Sequence, residues 1–117
     1  MDLGEETDRL NESFEQLEGA LTALNFGVSV SVELAPQKSL SFRRTNSGWK
    51  LIVDIQEEST DLLATDRSTR VLAAEKVDEL FLLLCAEKDR QLSDVSNAIA
   101  KVDAVTRKAI ELVKRHS

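Results

Sequence analysis

The chain offers few side chains that could serve as a nucleophile paired with a general base. Its 117 residues include one cysteine, Cys85, and one histidine, His116. Cys85 lies in the apolar run 82–86, where it is expected to be a small buried hydrophobe. His116 is the penultimate residue and is expected to be frayed and exposed. Since Ser–His and Cys–His catalysis needs both groups within hydrogen-bond reach, the pattern predicts that the protein is not an enzyme.

Acidic side chains cluster after the last predicted strand, at Asp54, Glu57, Glu58 and Asp61. Hard cations bind carboxylate oxygens, but the spacing departs from the calcium-loop pattern and lacks the glycine of its sharp turn. A solvated acidic loop is therefore the preferred interpretation. A zinc site would need more than Cys85 and His116, and the four scattered glycines form no phosphate-binding loop. Neither a metal nor a cofactor is predicted.

The net charge of −6 is unevenly distributed along the sequence. Residues Asp2 to Glu18 contain seven acids and one base, whereas Lys88 to Arg115 contain seven bases and four acids. Two amphipathic helices of opposite charge would be natural packing partners, within one chain or between two, and their charges would set register more than stability. The other interpretation is that each charged face is simply solvated.

The basic C-terminal region does not predict nucleic-acid binding. Acidic residues interrupt it at Asp103 and Glu111, and it contains no aromatic residue on which a base could stack. The overall negative charge also disfavours an anionic membrane surface. No apolar run approaches the ~20 residues of a membrane-spanning helix. We expect neither a nucleic-acid nor a membrane partner, and the lone cysteine with the acidic N-terminus suggests a cytoplasmic protein.

The first predicted element is a helix from about Leu3 to Asn25. Its apolar residues recur at spacings of three and four, at Leu10, Phe14, Leu17, Leu21 and Leu24. Asn25 and Gly27 supply a C-terminal stop.

The apolar spacing then changes to two, which predicts a meander of three antiparallel strands. Val28–Leu34, Ser39–Arg43 and Trp49–Ile55 alternate between apolar and polar residues, with turns at 35–38 and 45–48. The short connections exclude parallel strands. Residues 56–60 are predicted to be a polar loop. Serines 29, 31, 39 and 41 share the outward face with Arg43, and they are interpreted as ordinary solvent-facing residues rather than as a docking surface.

The last fifty residues are predicted to be helical, as two long helices or as one continuous helix. Asp66 or Ser68 would cap the first stretch. An unbroken helix of ~50 residues would be ~75 Å long, which exceeds a domain of this size. We therefore expect a break within 87–94, where the run from Glu87 to Gln91 is wholly polar and Asp89, Ser93 or Asp94 could cap a new helix.

These elements predict one α+β domain spanning residues 1–117, with the order α-β-β-β-α-α. The residues expected in its core are Val32, Phe42, Trp49, Leu51, Val53, Leu80, Phe81 and Leu84. In size, acidity and element order the chain resembles chaperones of bacterial secretion systems and small acidic immunity proteins, although those chaperones have further strands after the meander.

Three apolar helical stripes compete for one small sheet, so one stripe is expected to need another chain. The hypothesis is a non-enzymatic interaction module, adaptor or chaperone-like, that forms a homodimer and holds a further protein as a second partner. The alternative is a small enzyme or ligand-binding protein with a pocket between sheet and helices. The candidate interface residues are Leu92, Val95, Ile99, Val102, Val105, Ala109, Leu112 and Val113.

Overall fold

The computed structural model describes residues 2–117 and contains two helices that flank a meander of four strands. Helix α1 spans Leu3–Leu24 and helix α2 spans Arg67–Arg115, with a 3-10 turn at Leu62–Ala64 before α2. The strands are β1 Val30–Ala35, β2 Lys38–Thr45, β3 Gly48–Ile55 and β4 Glu58–Asp61. The predicted α+β class is confirmed. The sheet has one strand more than expected, and the C-terminal region forms the single continuous helix that was the alternative to two helices.

Each strand pairs antiparallel with the next, in the order β1-β2-β3-β4. Gln37 and Gln56 adopt left-handed φ angles of 62° and 57° in the tight turns that join the strands. The register pairs Val32 with Leu40 and Phe42 with Leu51, so the apolar side chains of three strands meet on one face. The alternation read from the sequence therefore gave the correct inward face for β1, β2 and β3.

The expected loop over residues 56–60 is wrong. Glu58–Asp61 forms the short strand β4, which pairs with the C-terminal half of β3 through Val53 and Thr60. Its residues Glu, Ser, Thr and Asp are all polar, and only Thr60 is partly buried. The strand therefore shows no apolar alternation in the sequence. Backbone pairing with β3, rather than side-chain burial, holds this edge strand in place.

Both helices pack on the same face of the sheet, α2 mainly against β1 and α1 against β3. Six of the expected core residues are buried, namely Val32, Phe42, Leu51, Val53, Leu80 and Leu84. Trp49 is only half-buried and stacks on Phe42, with ring centroids 5.5 Å apart. The expectation for Phe81 is wrong, since 42% of its surface is exposed and only an edge of its ring meets Phe26.

Polar contacts join α1 to the sheet and to α2. The Glu18 carboxylate accepts a hydrogen bond from the Leu51 backbone N–H at 2.9 Å, on the stretch of β3 that lies beyond its pairing with β4. The Arg67 Nε donates to Thr7 Oγ1 at 2.9 Å, and the Lys88 Nζ donates to the Asn25 carbonyl at 3.5 Å. Both ends of α1 therefore lie beside α2, and the two helices run in the same direction.

The expected break within 87–94 is also wrong, because α2 is one helix of 49 residues. The polar run supports the helix instead of ending it. Arg90 donates to Glu87 through Nε at 3.0 Å and to Asp94 through Nη1 at 2.9 Å, and Gln91 donates to Glu87 at 3.1 Å. Pairs spaced by three and four residues stabilise a helix, and α2 contains no glycine or proline.

The length of α2 gives the molecule an elongated shape of 80 × 27 × 25 Å. The radius of gyration is 21.1 Å, compared with ~13 Å expected for a compact chain of this length. From residue 89 to the end every residue is exposed. We call residues 89–115 the tail and residues 2–88 the head. The tail is about 40 Å of helix that projects beyond the sheet.

Candidate interaction surface

All eight predicted interface residues lie on the tail and are exposed to solvent. Their helical spacing places them on one side of α2, where they form what we call the apolar stripe. The large side chains are 54–68% exposed, from Leu112 at 54% to Val113 at 68%. Monomeric proteins seldom expose a contiguous apolar surface of this kind without a role in binding.

The apolar stripe continues the side of α2 that packs on the sheet. Five turns of an α-helix contain about 18 residues, so residues separated by that interval share one side of the helix. Val102 is in line with Leu84, which is 0% exposed in the core, and Ala98 is in line with Leu80, which is 1% exposed. The same face of one helix is thus covered by the sheet in the head and uncovered in the tail.

Two further apolar residues, neither of them among the predicted interface residues, adjoin the apolar stripe. Ile110 is 49% exposed and shares a groove on the tail with Val102, Val105, Ala109 and Val113. Its position three residues before Val113 was a signal available in the sequence. Phe81, at the end of the head, is exposed on the side from which the apolar stripe begins.

Basic residues border the apolar stripe. The tail contains six bases and four acids, which leaves nine bases and seventeen acids for the rest of the chain. Lys101 and Lys114 line the groove on the tail. The molecule is therefore an acidic head with a weakly basic, apolar-striped tail.

The acidic helix and the basic tail do not pack together within one chain. Helix α1 ends at Leu24, and the next residue, Asn25, contacts Lys88 just before the tail begins. Helix α1 instead lies beside the first half of α2, where Leu21 and Phe14 are buried. The intramolecular form of the expected pairing is therefore wrong.

The outward face of the sheet is more ordered than a row of solvent-facing serines. The Arg43 guanidinium donates two hydrogen bonds to the Asp54 carboxylate, at 2.7 and 3.1 Å, and further ones to Ser41 and Ser59. Ser41 lies beneath it and is only 3% exposed. The hydrogen bonds between Arg43 and Asp54 raise the pKa of Arg43 and lower the pKa of Asp54, and bonds from Ser59 and Ser41 lower the pKa of Asp54 further.

This network includes only Asp54 of the four acids that suggested a cation site. Asp54 is paired with Arg43, while Glu57 and Glu58 are exposed at the β3–β4 turn. Among residues 2–117, no group of three or more His, Cys, Asp and Glu side chains is arranged to hold a metal ion. The face is built for internal pairing between β2, β3 and β4.

The two reactive side chains of the sequence are far apart. Cys85 is half-buried, not fully buried as expected, and His116 follows the C-terminus of α2. With a rise of 1.5 Å per residue, the two lie ~45 Å apart along the helix. They cannot act together within one chain.

The space between sheet and helices is filled by the hydrophobic core. Leu40, Val53 and Ala73 are all 0% exposed at the centre of this layer.

Within the described residues, no helix has both the length and the apolar character needed to cross a membrane. The apolar stripe is thus the surface whose exposure most needs an explanation.

Comparison with known proteins gives no relative from which to transfer a role. No protein-family model, no curated protein and no solved structure matches the chain.

Proposed function

We propose that the protein is a non-enzymatic self-association module, of adaptor or chaperone-like type, that forms a homodimer through the apolar stripe of its tail. A cytoplasmic location belongs to the same proposal. The observation that carries it is the exposure of this stripe along ~32 Å of helix, in line with the core-facing side of α2.

The apolar stripe is large enough for a stable interface. With Ile110 included, eight large apolar side chains of the tail are 49–68% exposed. At roughly 60–100 Å² for each side chain, a second copy would cover about 500–800 Å² per partner. Stable interfaces bury ~800 Å² per partner, and ~1,000 Å² in total separates them from most incidental contacts.

A second copy of the chain is the occupant that the structure favours. The apolar stripe is long, straight and continuous, so two copies can pack along their whole tails. The sheet edges are poor alternatives for association. Strand β1 has an irregular register between Glu33 and Ala35, and β4 is only four residues long with an acid at each end. Short, charged or irregular edges discourage strand pairing between chains.

The test is the mass in solution, measured by light scattering during size-exclusion chromatography. The wild type should give twice the chain mass of 13.0 kDa. Ile99→Asp should give the mass of one chain, because it places a carboxylate in the middle of the desolvated stripe. Its circular dichroism at wavelengths sensitive to the sheet and Trp49 should be unchanged, since Ile99 lies outside the head.

Ala100→Asp is the matched control. It introduces the same charge one residue further on, on the side of the tail that faces away from the apolar stripe. This variant should remain a dimer. A wild type that runs as a monomer up to millimolar concentration would contradict the proposal, as would equal effects of the two substitutions. A complex in which only a different protein covers the stripe would contradict the homodimer.

A further inference from the structure

We infer that the two tails of the homodimer pack antiparallel, with the two heads at opposite ends of the assembly. The inference rests on the proposed self-association and adds the direction of the partner. It follows from two independent features: the position of the sheet on α2 and the charge gradient along the tail.

The sheet prevents two tails from packing in parallel. The side of α2 that carries Val102 in the tail carries Leu84 in the head, and there it is covered by the sheet. Two packed helices lie only 8–10 Å apart. In a parallel pair, the sheets of both copies would lie between the two α2 helices, along the part of α2 that precedes residue 84. They would have to fit into this gap. An antiparallel pair avoids the collision, because each tail meets the other tail and ends beside the partner's head.

The charges favour the same direction. Residues 107–115 contain four bases, Arg107, Lys108, Lys114 and Arg115, and one acid, Glu111. A parallel pair would place these two basic segments side by side. An antiparallel pair places each beside the segment 87–94 of its partner, which has three acids and two bases. Like charges at close range are unfavourable, and these exposed pairs act on direction more than on affinity.

The middle of the apolar stripe fixes which residues meet. The stripe runs from Leu92 to Val113, so its centre lies at Val102 and Asp103. Val95 lies seven residues before Val102, and Ile110 lies seven residues after Asp103, both towards the apolar side of the tail. In an antiparallel pair centred there, Val95 of one copy lies beside Ile110 of the other. In a parallel pair these two positions are ~22 Å apart along the axis.

Disulfide formation between chosen positions distinguishes the two directions. The parent is Cys85→Ala, which removes the only native thiol and should retain the dimeric mass. Val95→Cys and Ile110→Cys are introduced into it separately, and each variant is oxidised mildly, alone and after mixing. A disulfide requires Cα atoms within ~7 Å. The mixture should therefore form covalent dimer at least about tenfold faster than either variant alone.

Each outcome has a defined meaning. Faster cross-linking in the mixture supports the antiparallel pair. Cross-linking of either variant alone that equals or exceeds that of the mixture, while the mass remains that of a dimer, overturns the antiparallel direction and leaves self-association in place. A dimer in which the mixture fails to cross-link also overturns the arrangement. A parent that runs as a monomer removes the proposed function and this inference together.

Discussion

At the scale of single residues, the head depends on a few side chains that are completely removed from water. Leu51 on β3 is 2% exposed and pairs across the sheet with Phe42, which stacks on Trp49. The backbone N–H of Leu51 is bonded to Glu18 of α1. One residue thus joins the sheet, the core and a helix.

Truncation of this side chain should be costly. Leu51→Ala removes buried methyl groups and leaves a cavity, which lowers the free energy of unfolding by about 2–5 kcal/mol. A urea titration followed by Trp49 fluorescence measures the loss. Leu82→Ala is the matched control, because Leu82 is 68% exposed and the same deletion there should cost below ~0.5 kcal/mol. A loss of that small size for Leu51 would contradict its place in the core.

At the scale of elements, the start of α2 is defined by its cap. The Asp66 carboxylate accepts a hydrogen bond from the Thr69 N–H at 2.8 Å and another from the Ser68 hydroxyl at 3.0 Å. These bonds lower the pKa of Asp66 to about 2. The cap is therefore a point where protonation and the stability of a long helix are linked.

The direction of the pH effect follows from this lowered pKa. The ionised carboxylate favours the folded state above the unfolded pKa of ~3.9, and this contribution is lost as pH falls towards about 2. An NMR titration of the Asp66 carboxyl should give its midpoint near 2. Asp66→Asn keeps an acceptor for the cap but cannot titrate, so the stability difference between it and the wild type should shrink over the same interval. A midpoint close to 4 would contradict the cap.

The elements that were predicted correctly are those whose side chains are buried on one side. Alternation gave three strands and their inward face, since burial on one side forces a period of two. It missed β4, whose side chains bury almost nothing and whose signal lies in backbone pairing with β3. The expected helix break relied on possible caps within 87–94. In the structure Arg90 pairs with Glu87 and Asp94, and these pairs stabilise a helix that continues through the segment.

The candidate surface was more predictable than the packing of the helices. Helical spacing alone selected the apolar stripe, because a side of a helix is defined by local geometry. Which helix covers the sheet depends on contacts between distant parts of the chain. Phe81 has the same helical pattern as buried Leu84, yet it remains 42% exposed.

At the scale of the whole molecule, the buried core and the exposed apolar stripe occupy separate parts of the chain. Every buried residue lies between Phe14 and Leu84, and no residue beyond Lys88 is even partly buried. The head therefore contains a complete core. The tail contributes no buried residue to this core, and its apolar stripe is exposed.

This separation predicts that the head folds without the tail. A chain that ends after Gln91 lacks the apolar stripe but retains the whole core, including Leu80 and Leu84. It should be monomeric, and its free energy of unfolding should lie within about 1 kcal/mol of that of the Ile99→Asp monomer. Urea titration followed by Trp49 fluorescence tests this, since Trp49 is the only tryptophan and stacks on Phe42 inside the head.

A second truncation supplies the contrast. A chain that ends after Val77 loses Leu80 and Leu84, two core leucines that are at most 1% exposed. Each should cost about 2–5 kcal/mol, and together they approach the ~5–15 kcal/mol that stabilises a typical domain. This chain should be unfolded, with Trp49 emission at the wavelength of the denatured protein. If the chain ending after Gln91 is unfolded as well, the tail supports the core, and the division into head and tail is wrong.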